Sequence, residues 1–179
     1  MIDLANKNKK LIKIRNINFF VNDVLKLNQI KKKYDIVISK RCLINLNDFK
    51  QQLKVINSIS NVLKKNGLFL MCENSSIGLK KINDLRKKIK LKKITPPWHN
   101  KYFNDKKLEK TVQKLKLVEK IYTNSTYYFL SRILNAYIAK KEKKFLDYNS
   151  EINRLALLLP NDLVANFSQG IIWLWRNKK

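Results

Sequence analysis

A chain of 179 residues with 45% apolar side chains is long enough for one packed domain and too apolar to be wholly disordered. No apolar run approaches the roughly 18–20 residues of a membrane span, and Met1–Ala5 is too brief an apolar stretch for a signal peptide, so a cytoplasmic protein is expected. The formal charge of +26 favours polyanions by electrostatics alone, yet it consists of 33 Lys against 6 Arg spread along the chain, the pattern of AT-rich coding.

Residues 2–10 read as a short helix. INFFV at 17–21 reads as a buried strand, and Asp23 follows at its carboxyl end. An acid in that place either caps the turn or accepts hydrogen bonds from a ligand, and the cap is the simpler reading. After a polar connection over 27–33, YDIVIS at 34–39 and LFLMC at 68–72 have the composition of strands buried on both faces. Between them, Phe49, Leu53, Ile56 and Leu63 recur on one helical face. Asn47 or Asp48 is placed to cap that helix, and Asn66-Gly67 to end it with a left-handed residue. Strand, helix and strand form a βαβ unit, which makes the two strands parallel. Ligands of such sheets sit beyond the carboxyl ends of the strands, here Ser39-Lys40-Arg41 and Glu73-Asn74.

A helix follows, with Leu79, Ile82, Leu85 and Ile89 on one face, and Pro96-Pro97 then interrupts regular structure. Residues 98–103, Trp-His-Asn-Lys-Tyr-Phe, are the densest aromatic cluster and hold the single histidine. They are either an acceptor-binding loop with His99 as general base or a lid packed by Trp98 and Phe103. Asn104 or Asp105 caps a helix to about Lys114, and 117–122 alternates as a half-buried strand. Residues 125–142 read as one apolar helix, whose Tyr127 and Tyr128 either face the pocket or, as such spacing more often means, pack in the core. A helix from Glu151 stops before Pro160, and 171–175 reads as a last strand antiparallel to 117–122. The organisation is one domain over 1–179 with a helical insertion at 123–169. Cys42 and Cys72 are too few for a metal site and are expected as reduced thiols.

NINFFVNDVLKL, YDIVISKRCLINL and VLKKNGLFLMCEN, in this order and spacing, resemble the middle of a class I S-adenosylmethionine-dependent methyltransferase. The resemblance implies a Rossmann-like α/β sheet with helices on both faces and S-adenosyl-L-methionine as methyl donor. An acid after that family's third strand contacts the adenine region, which points to Asp23 with Val24 beside it. The family's fourth strand ends beside the donor, which points to Ser39 and Lys40. The segment after the fifth strand helps form the acceptor pocket, which implies substrate contacts from Asn74, Trp98, His99 and Tyr102. Arg41, a two-donor group for a carboxylate or phosphate, joins them, and Arg41 and His99 are the catalytic candidates. The family's glycine-rich first loop and the acid of its second strand have no counterpart, since the glycines are Gly67, Gly78 and Gly170. A truncated sheet is therefore expected, with the family's strands 3, 4, 5, 7 and 6 present and 1 and 2 absent, and direct pairing of INFFV with YDIVIS as a repair.

The leading expectation is a methyltransferase acting on a small molecule or sugar-type acceptor, although the absence of strands 1 and 2 weighs against activity of this chain. A non-catalytic basic module binding nucleic acid is the alternative, through Lys31–Lys33, Lys87-Lys88, Lys92-Lys93, Lys140-Lys141 and Lys143-Lys144. A third is a subunit whose sheet a partner chain completes.

Overall fold

The computed structural model describes residues 1–13 and 15–179. Its elements are α1 (Ile2–Leu11), β1 (Tyr34–Lys40), α2 (Phe49–Val62), β2 (Leu63–Asn74), α3 (Ser76–Lys88), α4 (Asp105–Thr111), β3 (Leu115–Tyr122), α5 (Ser125–Phe129), α6 (Asn135–Lys141), α7 (Glu151–Leu158) and β4 (Gly170–Asn177). Short 3-10 turns cover Val24–Gln29 and Leu43–Asn45, and a π-helical turn at Leu130–Leu134 joins α5 to α6.

The four strands form one sheet in the order β1-β2-β4-β3, with β1 and β2 parallel and β4 antiparallel to both its neighbours. This is the right-hand part of the expected sheet, with the last strand inserted between its two predecessors. Strand alternation sends Phe69, Met71, Trp173 and Trp175 to one face, where Val55, Ile56 and Ile59 of α2 and Leu108 of α4 cover them. Each such side chain contributes on the order of 1.5–3 kcal/mol by leaving water, so this layer holds the fold. Asp48 starts α2 by accepting from the Gln51 N–H at 2.8 Å.

Five expectations need correction. INFFV is not a strand, and Phe20 and Val21 are exposed. It does not pair with YDIVIS either, because the sheet ends at β1 among the described residues. With no neighbour to exchange ladder hydrogen bonds, an apolar run has no reason to hold a strand geometry. Nor is YDIVIS buried on both faces: Ile36 and Ile38 are 54% and 65% exposed. The register puts them on one face with Leu68, Leu70 and Leu174, opposite the covered layer.

The turn after α2 also differs. The helix ends at Val62 and the chain is extended at once from Leu63. Lys64–Gly67 then form a bulge, since Tyr34 pairs with Leu63 and Ile36 already with Leu68. Asn66 is the left-handed residue (φ 59°), whereas Gly67 is needed for closeness, its missing Cβ lying 3.0 Å from the Asp35 carbonyl. Residues 125–142 are α5, the π turn and α6 rather than one α-helix. Among the described residues no helix is long and apolar enough to cross a membrane, and no cluster of His, Cys, Asp and Glu suits a metal ion.

Candidate functional site

The carboxyl ends of β1 and β2 lie side by side, Ser39 beside Met71 and Lys40 beside Cys72. Arg41 follows in the left-handed region (φ 49°), its N–H donating to the Cys72 carbonyl at 2.9 Å. That bend breaks the strand and sends the chain into the Leu43–Asn45 turn, whose Asn45 amide donates back to the Arg41 carbonyl at 2.8 Å. The N–H groups at the start of that turn need an acceptor. Glu73, only 2% exposed, supplies it. Its Oε1 accepts from the N–H of Cys42 at 3.1 Å and of Leu43 at 3.0 Å, and Oε2 from that of Ile44 at 3.4 Å. The Ser39 hydroxyl donates to Oε1 at 3.4 Å.

Burial pushes the Glu73 carboxyl above its ordinary value, and the three N–H groups and Ser39 partly oppose the rise. With both oxygens committed, Glu73 is a clamp that sets the Arg41 bend, not a free base. Burial and the charge of Glu73 also push the Cys42 and Cys72 thiols up, away from the reactive thiolate.

A second layer of hydrogen bonds attaches residues 101–103 to the same end of the sheet. Phe103 N–H donates to the Asn74 carbonyl at 2.9 Å, Ser76 N–H to the Phe103 carbonyl at 2.7 Å, and Lys101 N–H to the Ile44 carbonyl at 2.6 Å. The Gln52 amide of α2 bridges the carbonyls of Leu43 and Lys101 at 3.1 and 2.8 Å. Phe103 is buried against Trp173, their ring centres 6.2 Å apart, and Tyr102 beside it is half-buried.

Trp98 and His99 are placed otherwise. Trp98 is 87% exposed and meets the exposed His99 edge-on at 5.5 Å. The structure thus gathers Ser39, Lys40, Arg41, Asn74 and Tyr102 around one strand end and leaves Trp98 and His99 on an outlying turn. A lid packed by Trp98 is not formed. Asp23 caps the Val24–Gln29 turn, accepting from the Leu25 N–H at 2.9 Å, and Val24 packs against the core.

Two residues that the sequence reading did not assign to the site stand near it, Tyr128, which it weighed for the pocket, and Gln169. Tyr128 of α5 is half-buried, and burial pushes its phenol up. The Gln169 side chain and the charges of Arg132 and Arg41 pull it down again, and Tyr102 adds to the rise. Gly170 pairs with Asn74 at the start of β4, and a Cβ there would approach the Tyr128 hydroxyl to 3.7 Å. The double tyrosine just after a strand was the signal for Tyr128. Gln169 carried none, because only the antiparallel insertion of β4 brings it to this end.

The family model described as a methyltransferase domain matches residues 1–149. The chain belongs to the class I S-adenosylmethionine-dependent methyltransferase family. Solved structures with the same partial fold include the N-methyltransferase NodS from Bradyrhizobium japonicum in complex with S-adenosyl-L-homocysteine. It is 10% identical, with a TM-score of 0.54 over 98% of this chain and 62% of that one. An S-adenosylmethionine-dependent methyltransferase from Clostridium acetobutylicum is 13% identical, with a TM-score of 0.58 over 99% of this chain and 71% of that one. The [4+2]-cyclase SpnF is 14% identical, with a TM-score of 0.57 over 98% of this chain and 62% of that one. This chain therefore spans 62–71% of the length of these structures. No curated protein matches its sequence. A cyclase among the similar structures shows that this fold does not by itself fix the reaction.

Proposed function

We propose that this chain is a methyltransferase subunit that binds S-adenosyl-L-methionine beyond the carboxyl ends of β1 and β2 and presents a small-molecule acceptor there. The observation that carries the reading is the meeting of Ser39-Lys40-Arg41 with Glu73-Asn74 at adjacent parallel strand ends, where Glu73 fixes the Arg41 bend and the Phe103 N–H bond to the Asn74 carbonyl brings Tyr102 alongside. Polar groups at the ends of adjacent parallel strands suit a ligand with charged and hydroxyl groups. The fit is to one end of the donor, because the glycines of this chain support a bulge, a helix contact and a strand start rather than a glycine-rich loop against which the donor could pack closely. The donor, when bound, supplies an activated methyl group. The chain's own part is positioning, with Ser39 and Lys40 on the donor side and Arg41, Asn74, Tyr102 and Tyr128 toward the acceptor. Arg41 suits an acceptor that carries a carboxylate or phosphate.

Calorimetric titration with S-adenosylhomocysteine tests this directly. Binding at micromolar strength is expected, and the Arg41→Ala variant should keep it within about threefold, since that side chain faces the acceptor in this reading. No heat from a chain shown by circular dichroism to be folded would sink the proposal.

A second reading rests on the open edge of β1. A seven-residue strand with exposed Ile36 and Ile38 and, among the described residues, no neighbour on its outer side is suited to pair with another polypeptide, which would extend the sheet beside the cleft.

A further inference from the structure

The fold brings together two lysine groups that lie about fifty residues apart in sequence. α3 and α6 both end in a lysine held in the left-handed region, Lys90 (φ 56°) just beyond α3 and Lys143 (φ 54°) just beyond α6. Both ends close in the same way, Leu91 N–H donating to the Arg86 carbonyl and Lys144 N–H to the Ala139 carbonyl, each at 2.8 Å. The Lys140 ammonium donates to the Lys90 carbonyl and ties the two ends to each other.

Between them lies a cavity of about 640 Å³, within the roughly 300–1,000 Å³ usual for small-molecule sites. Its floor is Ile89, Phe129, Ile133, Leu134 and Tyr137. Ile133 and Leu134 belong to the π turn, a rare helical form that recurs at functional sites. Its rim is Lys88, Lys90, Lys140, Lys141 and Lys143, with no acidic residue in the lining. Lysines at helix carboxyl ends have an ordinary role in offsetting the dipole. Two helix ends bring about one negative elementary charge in total, however, and the five rim lysines exceed it several-fold. The pocket lies at the carboxyl end of α3, about 20 Å along that helix from its start beside Asn74, and it shares no lining residue with the strand-end site, which it approaches only where Phe129 follows Tyr128.

We propose that this pocket binds a small single-tailed amphiphile with an anionic head, its tail on the Phe129–Leu134 floor and its head among the lysines. A nucleic-acid backbone would use the rim and leave the apolar floor open to water, so it is the poorer occupant.

Calorimetry of the full chain with dodecanoate, below the concentration at which it forms micelles, is the test. One saturable site is expected, with dodecanol at least tenfold weaker and acetate showing no binding. Leu134→Glu, at a position already 38% exposed, should weaken dodecanoate at least tenfold without unfolding the chain. The triple variant Lys88→Gln, Lys141→Gln and Lys143→Gln should do the same. A control triple of equal charge, Lys7→Gln, Lys10→Gln and Lys31→Gln, should stay within twofold. Equal losses from both triples would assign the binding to net charge and overturn the site. So would no saturable uptake by folded protein, or binding to phosphatidylglycerol vesicles through these lysines with none to monomeric dodecanoate.

Discussion

Glu73 shows how one side chain shapes the candidate site without facing a ligand. Its carboxylate takes three backbone N–H groups from residues 42–44, and the Arg41 bend depends on that turn. Glu73→Ala leaves those groups without an acceptor in a buried place and should cost about 2–3 kcal/mol, read by denaturant unfolding. Glu73→Gln keeps an acceptor oxygen and should cost less than half as much. The pH dependence has a definite sign. Burial raises the Glu73 pKa in the fold, so the folded state holds that proton more tightly than the unfolded one. Glu73's contribution to stability is therefore greatest below the ordinary carboxylate value and falls as pH rises through the raised one. Glu73→Gln should remove that part of the slope, and an unchanged stability–pH profile would contradict the assignment.

At the scale of elements, the site depends on how α3 meets the segment before β4. A Cβ on Gly78 would stand 2.1 Å from the Ser168 carbonyl and 2.9 Å from the Gln169 Cα, backbone that has little freedom to move. Ser75 reinforces the junction, its N–H donating to the Gln169 carbonyl at 2.7 Å and its hydroxyl accepting from Gly78 N–H at 2.8 Å. Gly78→Ala should therefore destabilise by about 1–3 kcal/mol, toward the upper end, and lower Tm by several degrees in a thermal melt. An unchanged Tm would show that α3 is not seated this closely on residues 168–169. Farther along, Lys120 is held charged by Asp105 and Glu109, each at 2.9 Å, and these contacts lock α4 to β3.

For the whole molecule, the two faces of the sheet are unequal. One carries the aromatic layer of Phe69, Trp173 and Trp175 under α2 and α4, and the other is open around Ile36 and Ile38 at an edge that is unpaired among the described residues. Exposed apolar edges promote association, while a charge of +26 opposes contact between identical copies. Raising ionic strength screens the repulsion and leaves the apolar attraction. Sedimentation velocity of the chain should thus show association that increases with salt. The double variant Ile36→Glu and Ile38→Glu should abolish it, and association that persists in that variant would place the contact elsewhere.

The sequence by itself determined the family, the βαβ unit and the order of the last strands. The βαβ unit rests on local signals, namely apolar runs and one helical face, that neighbours in the chain enforce, whereas the strand order followed from the resemblance to the family. The place of the cleft was legible for the same reason, because parallel strands leave their ligand at their carboxyl ends. What only the tertiary structure decided was which residues occupy it. Tyr128 and Gln169 arrive there because β4 inserts beside β2, and Trp98 and His99 do not because the hydrogen bonds of 101–103 hold Tyr102 and Phe103 instead. INFFV looked like a strand by composition, yet a strand exists only through its neighbours. The lysine pairs at 87–88 and 140–141 read as scattered charge until α3 and α6 ended at the same pocket.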